Sequence, residues 1–275
     1  MDVFFQYLSI YFLAICCSCV AGIALAWKGQ HIATRGKNLQ IFCVAQGALT
    51  GSLIAVLFSH YHDFQDDGVM ALSGVFFSLL CGIFVGVIVE TINRDKVEKS
   101  NILVGIFVLI MAFNAYITAI IPELETHMSQ IFFGDLVTIS HQMALSAATF
   151  FSFLIVREWK SRFLEVNMSF EIAILRRKQD RGFILDSTVI ALSVQAFGFL
   201  YTLGMIILPT TAARICFVPG MHRHYIVIAI GSFIGGLVGF SISLIDGRLP
   251  TVPSILFMST LATLGISFSW RQSQR

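Results

Sequence analysis

The sequence predicts an all-α, polytopic transmembrane bundle of about eight or nine spans, and three observations carry that prediction. First, 56% of the residues are hydrophobic and only 12% are charged, with a mean hydropathy of +0.82; soluble domains carry about 25% charged residues. Second, long apolar runs recur without the two-residue alternation of lipid-facing strands, so the spans are helices and not barrel strands. Third, polarity is confined: the interval from Arg157 to Gly182 holds seven of the eighteen Lys and Arg residues. Helices of about 20 residues use up nearly all 275 residues. Residues 1–275 therefore read as a single transmembrane domain with a polar loop at 157–183.

Apolar runs fall at about 3–27, 38–59, 69–92, 101–121, 137–156, 184–215, 225–243 and 253–270. Met1, Asp2 and Val3 supply no positive n-region, so the first run reads as a span and not as a cleaved signal. Cys16, Cys17, Cys19, Cys43, Cys81 and Cys216 sit in or beside apolar runs and read as small packing residues. The sixth run is too long for one span and too short for two full crossings. A hairpin or re-entrant segment turning near Gly198 and Gly204 is the predicted solution, tolerable where irregular backbone is buried in protein or lines a cavity.

That turn puts the N-terminus outside and the C-terminus inside, with 17 of the 18 basic residues on the cytoplasmic side and only Arg248 outside. A single pass would instead expel Arg214, Arg223, Arg271 and Arg275, against the positive-inside rule. The polar loop is then cytoplasmic. Its short apolar stretch, Phe170, Ile172, Ala173 and Ile174, precedes Arg176, Arg177 and Lys178, and the reading is a docking surface for another protein. Small-residue pairs Gly47/Gly51 and Gly82/Gly86 and the stripe Gly231/Gly235/Gly239 mark helices that can approach neighbours closely.

The outer loops around His60, His62 and Asp63, and around Glu123, Glu125 and His127, combine carboxylates with imidazoles. These ligand types hold divalent first-row metals, although solvated loops have the same composition. Ionisable groups at membrane depth are few, because each costs about 2.5–3.5 kcal/mol at a helix centre. Glu90 and Asp186 lie near the cytoplasmic ends of their runs, where interfacial solvation accounts for them; Asp135 and His141 lie near the outer end of the fifth, as path residues or as helix caps. No HExxH, GxSxG or CxxC signature occurs, and Gly36-Lys37-Asn38 lacks the remainder of a phosphate-binding loop. No catalysis, cofactor or nucleic-acid partner is read from the chain.

Four segments together resemble the membrane subunits of the zinc/manganese/iron family of bacterial ABC importers. Phe132 to Leu136, with Thr138 to Ser140, is similar to that family's Leu-Phe-Gly-Asp stretch. Gly204 to Arg214, containing Leu208-Pro209-Thr210-Thr211-Ala212-Ala213, resembles its Leu-Pro-Ala-Ala-Thr-Ala run and is the most specific of the four. Ser243 to Asp246, with Leu249 to Ser254, resembles its turn before the last span. Ser169 to Ala173 resembles the acidic-x-Ala core of its coupling segment, although Arg177 stands where the family commonly has glycine.

The resemblance implies a homodimer of permease subunits in the bacterial inner membrane, each docked on a separate ATPase. Glu171, Ala173, Arg176 and Arg177 would form the docking loop. A periplasmic or lipid-anchored metal-binding protein would deliver the ion, zinc first and manganese or iron next. The family's second span carries Gly-Asp-x-x-x-His, one helical turn apart; here Ile41, Phe42 and Gln46 stand in its place. Phe42 cannot ligate, and a Gln oxygen binds zinc far less readily than an imidazole. The candidate ion ligands are therefore Asp135, His141, Gln46, His60, His62 and Asp63, unless the cargo is different or a second, intact permease completes the dimer. Rival readings are a gradient-driven secondary transporter of a small solute working through Glu90 and Asp186, and a non-transporting scaffold.

Overall fold

A computed structural model describes residues 2–34, 37–62, 67–92, 96–120, 124–134, 136, 139, 141–167, 182–216, 221–245 and 249–272. Among them the regular structure is helical throughout: α1 (Asp2–Thr34), α2 (Asn38–His62), α3 (Asp67–Thr91), α4 (Lys96–Ile120), α5 (Leu124–Phe133), α6 (His141–Asn167), α7 (Gly182–Phe197), α8 (Phe199–Ile215), α9 (Met221–Ile245) and α10 (Thr251–Gln272). Six described segments are long and apolar enough to cross a membrane: Tyr11–Ala33, Asn38–Ser59, Leu72–Thr91, Glu98–Ala119, His222–Ile245 and Thr251–Gln272. The helix α6 has 27 residues, but its second half carries Arg157, Glu158, Lys160, Arg162 and Glu165. Shorter apolar helices are α7 and α8. Two segments read as outer loops are helical in part: α2 runs on through His62, and α5 begins at Leu124.

The long apolar run 184–215 is interrupted at Gly198, whose φ of 88° lies in the left-handed region. Gly204, the other glycine of the predicted turn, lies within α8. Backbone hydrogen bonds still bracket the break: the Gly198 N–H donates to Val194 (2.9 Å) and the Thr202 N–H donates to Gly198 (3.2 Å). A single residue in a conformation that L side chains disfavour therefore ends one helix and lets the next begin at once.

The chain forms two compact units. Unit 1 comprises Met1–Gly36, Asp135–Asp180 and Gly204–Arg275; unit 2 comprises Lys37–Gly134 and Arg181–Leu203. In unit 1, α1 packs against α6 and α9, and α9 lies along α10. The last contact is close because Gly231, Gly235 and Gly239 face Thr263, Ser259 and Ile255, where a side chain would push the helices apart. Gly29 of α1 lies against the Ile206 carbonyl in the same way. Ala26, Trp27, Ala213, Tyr225 and Ile228 form a buried cluster, with Ile23, Ile155 and Ala229 packed around it.

In unit 2, α2 touches α3, α4, α5 and α7, and α3 packs on α7. Gly47 faces Val85, Gly51 faces the backbone at Phe77 and Ser78, Gly82 faces Ala48 and Ala191, and Gly86 faces Ser187. The predicted GxxxG pairs thus serve two different contacts, α2 with α3 and α3 with α7. The α2 span is 72% buried and the α4 span only 11%. Accordingly α4 presents Val104, Val108, Leu109, Met111, Phe113 and Tyr116 outward, an apolar surface suited to lipid.

Candidate functional site

Gln46, the one predicted ion ligand whose side chain is described, sits in a polar knot inside unit 2. Its Oε1 accepts the Asn114 amide at 3.1 Å. The Thr50 hydroxyl lies 2.7 Å from Asn114 Oδ1 and 2.9 Å from the Gln46 carbonyl, so one proton serves two acceptors. Gln46 is 3% exposed, Asn114 0% and Thr50 8%. These neutral groups satisfy one another and tie α2 to α4. An apolar setting demands that, since an unpaired carboxamide there leaves its full desolvation cost standing. A second polar tie joins α2 to α7, where the Ser52 hydroxyl and Gln195 Oε1 are 2.6 Å apart. A third joins α3 to α7, the Ser78 hydroxyl donating to the Ala191 carbonyl at 3.2 Å.

The helix break is supported within the same unit. Gly134, with φ 78°, and Gly198, with φ 88°, meet backbone to backbone. A Cβ on Gly134 would run into the Phe197 carbonyl, and one on Gly198 into the Gly134 backbone. Phe132 stacks on Phe199 with ring centroids 5.1 Å apart, and Phe197 lies 5.2 Å from Tyr201. Phe132 and Gly134, from the segment that resembles the family's Leu-Phe-Gly-Asp stretch, thus clasp the irregular point between α7 and α8.

Glu90 and Asp186 prove to have different surroundings. Lys37 Nζ reaches both Glu90 oxygens, at 2.9 and 3.0 Å, with both side chains partly exposed. Asp186 is buried at 8% exposure, where the sequence reading assigned interfacial solvation to both. Burial follows from its place beside Ser187, the residue that Gly86 of α3 meets.

Unit 1 contains a joint that sequence reasoning missed. Lys28 Nζ lies 3.1 Å from Glu158 Oε1, and the two residues are 4% and 7% exposed. Their chain neighbours also meet: Trp27 stacks on Trp159, centroids 5.8 Å apart at 29°. The Trp27 indole N–H donates to the Tyr225 carbonyl at 3.0 Å, and Trp159 touches His222 edge-on at 6.5 Å. Two consecutive residues of α1 thus pair with two consecutive residues of α6, and the same Trp27 fastens α9. The available signal was the pair of mirrored dipeptides, Trp-Lys at the end of the first run and Glu-Trp just past the fifth.

Of the other predicted ligands, His60 and His62 lie on the last turn of α2 and His141 opens α6, but their side chains are outside the described residues, as are Asp63 and Asp135 altogether. The docking residues Glu171, Ala173, Arg176 and Arg177 are outside them too. Among the described residues no three His, Cys, Asp or Glu side chains come together in a way that could hold a metal ion.

Helices long and apolar enough to cross a membrane, joined by short apolar ones, with a supported helix break and buried polar ties, describe a multi-pass membrane protein. The profile of the ABC 3 transport family matches residues 7–269, and this chain belongs to that family. It is a membrane subunit of an ABC transporter, and the resemblance carried by the four segments holds. Among solved structures, PsaBC from Streptococcus pneumoniae, determined in complex with a Fab, matches with a TM-score of 0.68 at 16% sequence identity. The match covers 97% of this chain and 95% of that one, and at this identity the likeness is one of fold. No curated protein matches the sequence.

Proposed function

We propose that this protein is the membrane-spanning subunit of an ATP-driven importer of divalent metal ions, with zinc the first candidate and manganese or iron next. The observation that carries the reading is the family match over residues 7–269, joined to the Leu208-Pro209-Thr210-Thr211-Ala212-Ala213 run. Two copies form the permease in the bacterial inner membrane. Each docks a separate ATPase through the cytoplasmic loop 157–183, with Glu171, Ala173, Arg176 and Arg177 at the contact, and a metal-binding protein delivers the ion from outside. Eight or so crossings, with N-terminus out and C-terminus in, keep 17 of 18 basic residues inside.

Gln46 is engaged by Asn114, and its neutral oxygen is a weak zinc ligand. Ion selection in this reading rests on Asp135, His141 and the outer His60, His62 and Asp63, together with the delivering protein. The gradient-driven alternative loses support from Lys37, which compensates the charge of Glu90. Reconstitution with the ATPase and delivery subunits in proteoliposomes tests the proposal: ATP-dependent uptake of zinc, manganese or ferrous iron is expected. Uptake of none of the three, or uptake that survives ATP depletion and collapses with the ion gradient, overturns it.

A further inference from the structure

The helix α6 runs without interruption from His141 to Asn167, so residues 157–167, the first part of the segment 157–183 that the proposed function assigns to ATPase docking, are a continuation of that helix. Nine residues before the helix ends, Glu158 is fixed to Lys28 and Trp159 to Trp27. Trp27 in turn holds α9 through the Tyr225 carbonyl. The interactions are of two kinds that complement each other. A stacked ring pair resists separation but tolerates sliding, whereas an ion pair at 3.1 Å between consecutive neighbours fixes the register along the helix axes.

We infer that Lys28 and Glu158 are positioning residues that, with the Trp27–Trp159 stack, lock α1 to α6 in a single register, so that force on the segment after α6 reaches α1 and α9 as one body. The inference rests on the ATPase-coupled reading of the loop. A merely structural role is the competing account, and the chemistry of buried pairs separates the two. Replacing both members of a buried ion pair with apolar residues of similar volume is often neutral or stabilising for folding. The register lock, in contrast, disappears with the charges.

The decisive variant is therefore Lys28→Met with Glu158→Met, compared with Glu158→Gln and with the exchange Lys28→Glu plus Glu158→Lys. Each is assembled with the ATP-hydrolysing subunit and the delivery protein in proteoliposomes, and zinc uptake per ATP hydrolysed is measured beside the thermal midpoint of the complex. The Met pair is expected to melt within a few degrees of the parent while its uptake per ATP falls at least tenfold, and the exchange is expected to recover at least part of the ratio. Met-pair uptake per ATP equal to the parent's, or hydrolysis and uptake that decline together at a constant ratio, overturns the inference. A parent complex that hydrolyses ATP but moves no zinc counts against the importer reading alone. The lock is then judged by the change in hydrolysis rate that the permease imposes on the ATPase subunit, which the Met pair should abolish and which a purely structural role would leave intact.

Discussion

At Asn114 one carboxamide serves two contacts: its N–H donates to Gln46 Oε1 and its oxygen lies 2.7 Å from the Thr50 hydroxyl. Replacing it with leucine keeps the volume but strands the Gln46 oxygen in an apolar interior. Asn114→Leu should therefore lower stability by about 1–2 kcal/mol, read as a reduced thermal midpoint in detergent. Gln46→Leu combined with Asn114→Leu should recover much of that loss, because both ends of the unmet pair are then gone. If Gln46 were an ion ligand, Gln46→Leu alone would change which metal is carried; the knot predicts an altered melting temperature with the order of metal preference unchanged, measured by competition uptake.

Among elements, the break between α7 and α8 and the α9–α10 contact are the most sensitive to side-chain size. Gly198→Ala combines an unfavourable φ with a clash against the Gly134 backbone, and a loss of about 2 kcal/mol or more is expected. Folded yield and melting temperature check it, and Gly134→Ala should behave alike because it meets the Phe197 carbonyl. On α9, Gly235→Ile should separate that helix from Ser259 of α10 and reduce folded yield far more than Gly105→Ile on α4, where nothing lies within 4 Å of a Cβ. The glycine spacings on α2, α3 and α9 were legible from sequence, since a four-residue repeat of small residues marks one helix face. Which neighbour each face meets was not legible, because spacing encodes a face and carries no information about its partner.

For the whole molecule, the charge distribution makes the predictions. Cysteine-accessibility labelling of engineered sites should find positions beside Arg94 and Arg271 reactive from the cytoplasmic side and positions beside Arg248 reactive from outside. The opposite labelling at Arg271 would mean that the run 184–215 crosses once. Glu171→Arg with Ala173→Asp should abolish co-purification of the ATPase subunit, and undiminished co-purification would remove the docking role of the loop.

Composition and hydropathy determined that this chain is a helical membrane protein and located its apolar runs, four short segments identified its family, and of the two glycines expected at a turn in the run 184–215 Gly198 is the one at which the helix is interrupted while Gly204 lies within α8. Those properties are local or additive: burial in lipid depends on the summed transfer energy of a run, and a break needs only one residue free to take a positive φ. Only the tertiary structure decided that Lys28 meets Glu158, 130 residues away, that Asn114 meets Gln46, 68 residues away, and that Gly134 backs onto Gly198. In an apolar medium a polar side chain is committed to some partner, but any of several distant groups would satisfy it, and the choice is made by how the helices pack.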